Sequence, residues 1–296
     1  MNGVKDRVKC IQQHIQKEVG KNRAIIAVSG GMDSSVCAIL SERAISKNLF
    51  PVFIRTGFNL DKEEKQLLRL LNEFGINVFI LKKEKEYFKE LKDIEDSNKR
   101  RYSFGKISLE FLKDYANGVG AKILINGVNK NDKLISNTVI SYEKRADDVK
   151  RVLGLKLVEP LAGLYKDEIK EIAKEIGLIN LTSKQHIPGP ALAVRISGKL
   201  TEEKIALLKQ VNEFIDNHAD DSYWQFFPFL LNEKLDNKFV IVLRAVISKD
   251  CGFTAEVKYD PKLLNRIAKE ILQKYAKVGR ILFDISPKPP ITIEFM

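Results

Sequence analysis

The run Ala24-Ile25-Ile26-Ala27-Val28 leads directly into Ser29-Gly30-Gly31-Met32-Asp33-Ser34-Ser35, which opens the helical pattern Val36-Cys37-Ala38-Ile39-Leu40. A strand therefore feeds a glycine turn at the start of a helix. Such a turn aims successive backbone N–H groups at one point, and its glycines admit an anion where a Cβ would block it. The loop lacks the Gly-Lys-Ser/Thr ending of the lysine-bearing phosphate loop and the Gly-x-Gly-x-x-Gly spacing of dinucleotide folds. Two serine hydroxyls and an acid stand where the lysine would be. A phosphate here would be held by N–H and O–H donors, with a metal offered to Asp33. The alternative is a serine-capped glycine turn with no ligand, a reading that leaves the full six-residue pattern unexplained.

Working outward from this loop, Val4, Val8, Ile11, Ile15 and Val19 recur at helical spacing on one face. Strands are predicted at Leu49–Ile54, Ile76–Leu81 and Ala121–Gly127. Helices are predicted from the loop to about Asn48, over Lys62–Phe74, and across the charged stretch from Lys83 to about Asn117. This alternation implies a parallel sheet covered on both faces, with ligands bound outside the carboxyl ends of its strands. Residues 129–152 are polar and weakly periodic and read as a lid or irregular insertion. Order resumes at Leu155–Leu161 and in a helix from Tyr165 to Ile176, ended by Gly177. Ile187-Pro188-Gly189-Pro190 excludes regular structure and marks a hinge. Beyond it Thr201-Glu202-Glu203 caps a helix, Phe239–Val246 and Arg280–Ile285 read as strands, and Pro261–Ala276 reads as a helix. The predicted organisation is an α/β chain with one domain over 1–187 and a second, smaller α/β domain over 188–296.

The 296 residues carry 44% hydrophobic and 30% charged side chains, the balance of a globular protein. No apolar run approaches the roughly 20 residues of a membrane span, and the N-terminus has no apolar signal region, so a cytoplasmic location without membrane contact is expected. Cys10, Cys37 and Cys251 form no Cys-x-x-Cys pair, and His14, His186 and His218 are scattered, which argues against a metal cluster or a disulfide framework. The net charge of +11 favours anionic partners. No dense basic run with interleaved aromatics points to nucleic acid.

The loop resembles the Ser-Gly-Gly-x-Asp-Ser signature of the ATP pyrophosphatases, which cleave ATP to AMP and pyrophosphate while adenylylating an acceptor oxygen. Further blocks narrow the resemblance to the ATP-pyrophosphatase subunit of GMP synthetases. These are Asp93, Lys99, Arg100 and Gly105; Leu157–Leu161 with Tyr165-Lys166-Asp167-Glu168; His186–Arg195, similar to the family's Pro-Phe-Pro-Gly-Pro-Gly-Leu-Ala-Ile-Arg; Leu243–Val246; and Asp284-Ile285-Ser286 with Lys288–Glu294. The resemblance implies an adenine-nucleotide α-hydrolase-like domain, ATP and Mg²⁺ as cofactors, adenylylation of XMP, and displacement of AMP by ammonia. It also implies a homodimer formed through the C-terminal domain and, since the chain carries no glutaminase, a separate glutaminase subunit or free ammonia. Carried over residue by residue, it assigns Ser29, Gly30, Gly31, Asp33, Ser34, Ser35 and Gly127 to the nucleotide and Asp33 to the metal. Arg244, Lys288, Thr292, Ile293 and Glu294 are assigned to the acceptor.

The chain departs from the family pattern at several points. Arg55-Thr56 precede Gly57 where the family has an acid and His or Asn. Counting back from Glu159 puts Ser141 at the catalytic lysine of the lid, which Lys144 or Arg145 would replace by a small loop shift. The family's Tyr-Pro-Asp-x-Ile-Glu-Ser becomes Lys130–Ser136, retaining Asp132 as a candidate catalytic residue. Because the changes gather around base and lid, two other readings stand beside GMP synthesis. One is a divergent paralogue that adenylylates another nucleotide or nucleobase for amidation or thiolation. The other is a nucleotide-binding subunit without turnover.

Overall fold

A computed structural model describes residues 3–135, 152–178, 189–220, 222–248 and 254–287. The chain divides into two compact units, Met1–Lys85 with Phe104–Lys184 and Glu86–Ser103 with Gln185–Met296. The second unit thus includes most of one helix, α4 (Glu84–Leu91), and the first turns of the next, α5 (Ser97–Val119).

The first unit is built on five parallel strands: β1 (Ala24–Ala27), β2 (Leu49–Arg55), β3 (Phe79–Lys82), β4 (Ile123–Ile125) and β5 (Lys156–Val158). Their order is β3-β2-β1-β4-β5, the α/β architecture expected from the alternating pattern. Side chains alternate across it: Ala24 and Ile26 join the core formed with α1 (Gly3–Val19), α2 (Met32–Ile45), α3 (Asp61–Glu73) and the Lys166–Glu175 helix. Ile25, Val52 and Leu124 join Leu109, Leu112 and Ala116 of α5 in the core of the other face. Both faces are apolar at the centre of the sheet because helices cover both, which is why β1, β2 and β4 read as continuous apolar runs. From β3 the chain crosses to β4 on the far side of β1. The C-terminal ends of β1 and β4 therefore flank the point where strand order reverses, the place where open α/β sheets bind ligands.

The second unit has strands β6 (Gln225–Leu235), β7 (Lys238–Ile247), β8 (Glu256–Val257) and β9 (Val278–Phe283). β7 pairs antiparallel with β6 and β8 and parallel with β9. Helices Glu202–Asp216 and Pro261–Lys274 accompany them; Thr201 Oγ1 accepts from Lys204 N, and Asp260 Oδ1 from Leu263 N. Thr201 is the N-cap the sequence signals; Asp260, just before Pro261, caps the second helix in the same way. Strand β6 is not expected from sequence, and Pro228 in its middle argues against one. Leu230 N–H points outward to Arg195 O, and residue 228 shares that side by alternation, so the N–H missing from Pro228 is not used in pairing with β7. The β6–β7 turn, Asp236-Asn237, takes φ values of 49° and 60°, which these two residue types tolerate.

Arg100 is fully buried in this unit and donates to the carbonyls of Ile94, Ala193, Ile196 and Gly198. Burial pulls its pKa down to about 10, which leaves it charged at neutral pH. It thus pins the residues after the expected hinge by carbonyl oxygens alone. Of that hinge, Ile187 and Pro188 lie outside the described residues; Gly189-Pro190 form a turn into a 3₁₀ segment at Ala191–Val194.

Candidate active site

Ser29–Gly31 connect β1 to α2 at the C-terminal edge of the sheet, so the first N–H groups of α2 open where the strands end. Gly30 bends the chain at φ 90°, in the region that favours glycine. Gly31 is the N-cap of α2 and makes no side-chain capping hydrogen bond. The hydroxyls of Ser34 and Ser35 donate to Gly31 O at 2.9 and 3.0 Å, and Ser34 Oγ lies 3.2 Å from Ser29 Oγ. Gly31 N–H reaches Ser29 Oγ at 3.4 Å. The serines hold the turn in shape and line it with hydroxyl oxygens. Hydroxyls, amide N–H groups and the Asp33 carboxylate make an oxygen-rich, thiol-free and imidazole-free set, which suits a phosphate with Mg²⁺.

Gly127 follows β4 directly opposite this loop. A Cβ built on it would stand 3.2 Å from Asp33 O and from Ser34 Cα, so the glycine lets the β4 loop lie against the backbone of α2. Two residues on, Asn129 is fully buried. Its Nδ2 donates to Asp33 Oδ2 at 2.9 Å, and its Oδ1 accepts from Asp132 N at 2.8 Å. Asp132 Oδ2 in turn accepts from Asn129 N at 3.4 Å. This reciprocal pair is a capping box at the start of α6 (Lys130–Ile135). The structure places Gly127 against the backbone of Asp33 and links Asp132 to Asp33 through Asn129, with one carboxylate oxygen of Asp132 accepting from the Asn129 N–H. Asn129, which joins the two aspartates, was missed by sequence reasoning. The signal available was its place in a polar run immediately after a strand that neighbours β1.

Arg55, at the C-terminal end of β2, is held by α3. Its Nε donates to both carboxylate oxygens of Glu64 at 2.9 and 3.0 Å, its Nη2 donates again, and Glu84 lies 4.0 Å away. These bonds to Glu64 raise the arginine's pKa. The unusual cation before Gly57 is thus matched by a buried acid on α3. Thr56 donates from N and Oγ1 to Asn59 Oδ1, at 3.1 and 2.6 Å.

In the second unit Arg244 is fully buried on β7, and its Nη1 donates to Asp284 Oδ2. Its Nε and Nη2 have no hydrogen-bond acceptor among the described residues. Arg195 ends the hinge motif, donates to Asn212 Oδ1 at 2.9 Å and stacks over Phe227 at 3.6 Å. Lys144 and Arg145 of the lid, Ser141, and Lys288, Thr292, Ile293 and Glu294 lie outside the described residues. No helix among the described residues is long and apolar enough to cross a membrane.

Two family models match the chain: NAD synthase over residues 3–188 and the GMP synthase C terminal domain over residues 212–295. The chain is 36% identical, across 99% of each chain, to a protein of Thermococcus kodakarensis whose name makes it one subunit of a glutamine-hydrolyzing GMP synthase. A protein of the same name from Pyrococcus furiosus is 36% identical, over 96% of this chain and 95% of its own. One from Methanocaldococcus jannaschii is 32% identical over 96% of each.

Proposed function

The chain belongs to the same GMP synthase family as these archaeal proteins, and from that premise we propose that it adenylylates the C2 oxygen of XMP and lets ammonia displace AMP to give GMP. It is a ligase. In the first step the C2 oxygen attacks the α-phosphorus of ATP and the bond to the β-phosphate oxygen breaks, releasing pyrophosphate. In the second, the ammonia lone pair attacks C2, a proton is lost, and the C–O bond breaks with AMP as leaving group.

The observation that carries this reading is the open N-terminus of α2 beside an acid and two hydroxyls. Pyrophosphate departs with negative charge, and the loop from Ser29 to Ser35 offers the amide donors at the start of α2; the Ser34 and Ser35 hydroxyls, which here donate to Gly31 O, would turn to the phosphate to serve as donors. Asp33 would hold Mg²⁺, which when bound supplies charge neutralisation on the departing pyrophosphate. We assign residues 1–187 to ATP and 188–296 to the acceptor and to dimerisation. Arg244 belongs to the acceptor set with Lys288, Thr292, Ile293 and Glu294; a buried guanidinium with two nitrogens awaiting acceptors among the described residues suits a phosphate. Lys144 or Arg145 would supply the positive charge near the α-phosphate. Ammonia would come from a separate glutaminase subunit, in keeping with the names of the relatives, each one subunit of a glutamine-hydrolyzing enzyme. Ser141, at the position of the family's lid lysine, favours the second reading, a different acceptor.

The test is release of AMP and pyrophosphate from Mg-ATP with ammonium, run with XMP and with other purine nucleotides. XMP-dependent AMP release with equimolar GMP is expected, and Asp33→Ala should lower it by about 100-fold or more. Turnover with another nucleotide and none with XMP would replace the acceptor. Absence of both turnover and ATP–pyrophosphate exchange would leave a nucleotide-binding subunit.

A further inference from the structure

Strands β1 and β4 are neighbours, with Ile26 beside Ile125, so the loop leaving β4 must pass the first turn of α2. Asn129 fills that passage. Its amide can be oriented in only one sensible way: Oδ1 faces Asp132 N–H, an obligate donor, so Nδ2 faces Asp33. The reverse orientation would set donor against donor at one end and a carbonyl oxygen against a carboxylate at the other. The amide is also held at its backbone, because Asn129 N–H donates to Asp132 Oδ2. Asp33 therefore accepts from a buried donor that cannot rotate away, and its carboxylate loses freedom about χ2 before any cation arrives. Helix capping needs only the Oδ1 end, and a serine hydroxyl does that work equally well. The Nδ2 end is surplus to capping and points at the candidate metal ligand.

We propose that Asn129 is a positioning residue that holds the Asp33 carboxylate, through Nδ2, in the orientation that receives the divalent cation. This rests on the assignment of Asp33 to the metal. Partners of this kind behind a metal ligand typically change metal affinity by about 10-fold to 100-fold when removed.

Mn²⁺ serves as the probe, its binding followed by electron paramagnetic resonance on the full chain saturated with α,β-methylene ATP, which cannot release pyrophosphate. Three variants are compared with the parent. Asn129→Ser retains a capping oxygen and loses the reach to Asp33; Asn129→Ala loses both; Asp33→Ala removes the ligand. The expected result is a Mn²⁺ dissociation constant raised about 10-fold in both Asn129 variants, with thermal stability lowered only in Asn129→Ala. A dissociation constant within about twofold of the parent in both Asn129 variants, with Asp33→Ala raising it strongly, overturns the inference and leaves Asn129 as a cap. If Asp33→Ala also leaves Mn²⁺ binding unchanged, the metal assignment itself fails and the inference falls with it.

Discussion

Gly127 and Asp33 are in backbone contact: a carbon added at Gly127 would stand 3.2 Å from the carbonyl oxygen of Asp33. The requirement for glycine at 127 is thus steric, imposed by the first turn of α2. Gly127→Ala must push the β4 loop away from that turn by several tenths of an ångström, carrying Asn129 with it. Overpacking of this kind costs about 1–3 kcal/mol. Urea unfolding should show that loss, and ATP binding should weaken in the same variant. Unchanged stability and unchanged ATP affinity would mean that the two loops slide past one another freely.

Ala191 takes φ 48° at a buried position where the hinge pattern of the family has glycine. An L side chain in this region costs about 1–2 kcal/mol, and glycine returns part of the gain through a looser unfolded chain. Ala191→Gly should therefore raise the urea midpoint, by about 1 kcal/mol in stability. A fall in the midpoint would show that packing of the Ala191 methyl outweighs the strain.

Cys37 lies one turn beyond Asp33 on α2 and is fully buried. Burial, with the Asp33 charge adding to it, pushes its thiol up to about 12 from 9.0. Below pH 9 the thiol is protonated whether the chain is folded or not; between pH 9 and 12 only the unfolded chain ionises, so stability falls as pH rises. Three pH units at 1.36 kcal/mol each make the loss about 4 kcal/mol. Chemical denaturation at pH 8 and pH 11 should show the parent losing markedly more stability over that interval than Cys37→Ala. Parallel losses in the two proteins would refute the buried-thiol account.

The first unit was largely legible in the sequence because its central strands β1, β2 and β4 are largely buried on both faces. Runs such as Ala24–Val28 and Leu49–Ile54 stand out as apolar blocks between helical patterns, and each of these two blocks forms a strand. The charged stretch from Lys83 to Asn117 reads as one helical region, and it is two helices, broken between Leu91 and Ser97. Strand β6 escaped because Pro228 signals against the interior of a central strand, and edge position is a property of the assembled sheet. Arg55 reads as an unexplained departure since its partner, Glu64, is brought to it by the packing of α3.

What the sequence determined by itself is whatever depends on near neighbours along the chain. The glycine turn after β1, the cap at Thr201 and the serine contacts that shape the turn from Ser29 to Ser35 follow from residue type and short spacing, because their hydrogen bonds close within a few residues. The tertiary structure alone decided which distant groups meet this loop. Gly127 and Asn129 reach Asp33 from far along the chain, Asn129 across 96 residues, because β4 pairs with β1. That pairing is chosen by burial of the whole sheet between its helices, a collective free energy that no local stretch of sequence contains.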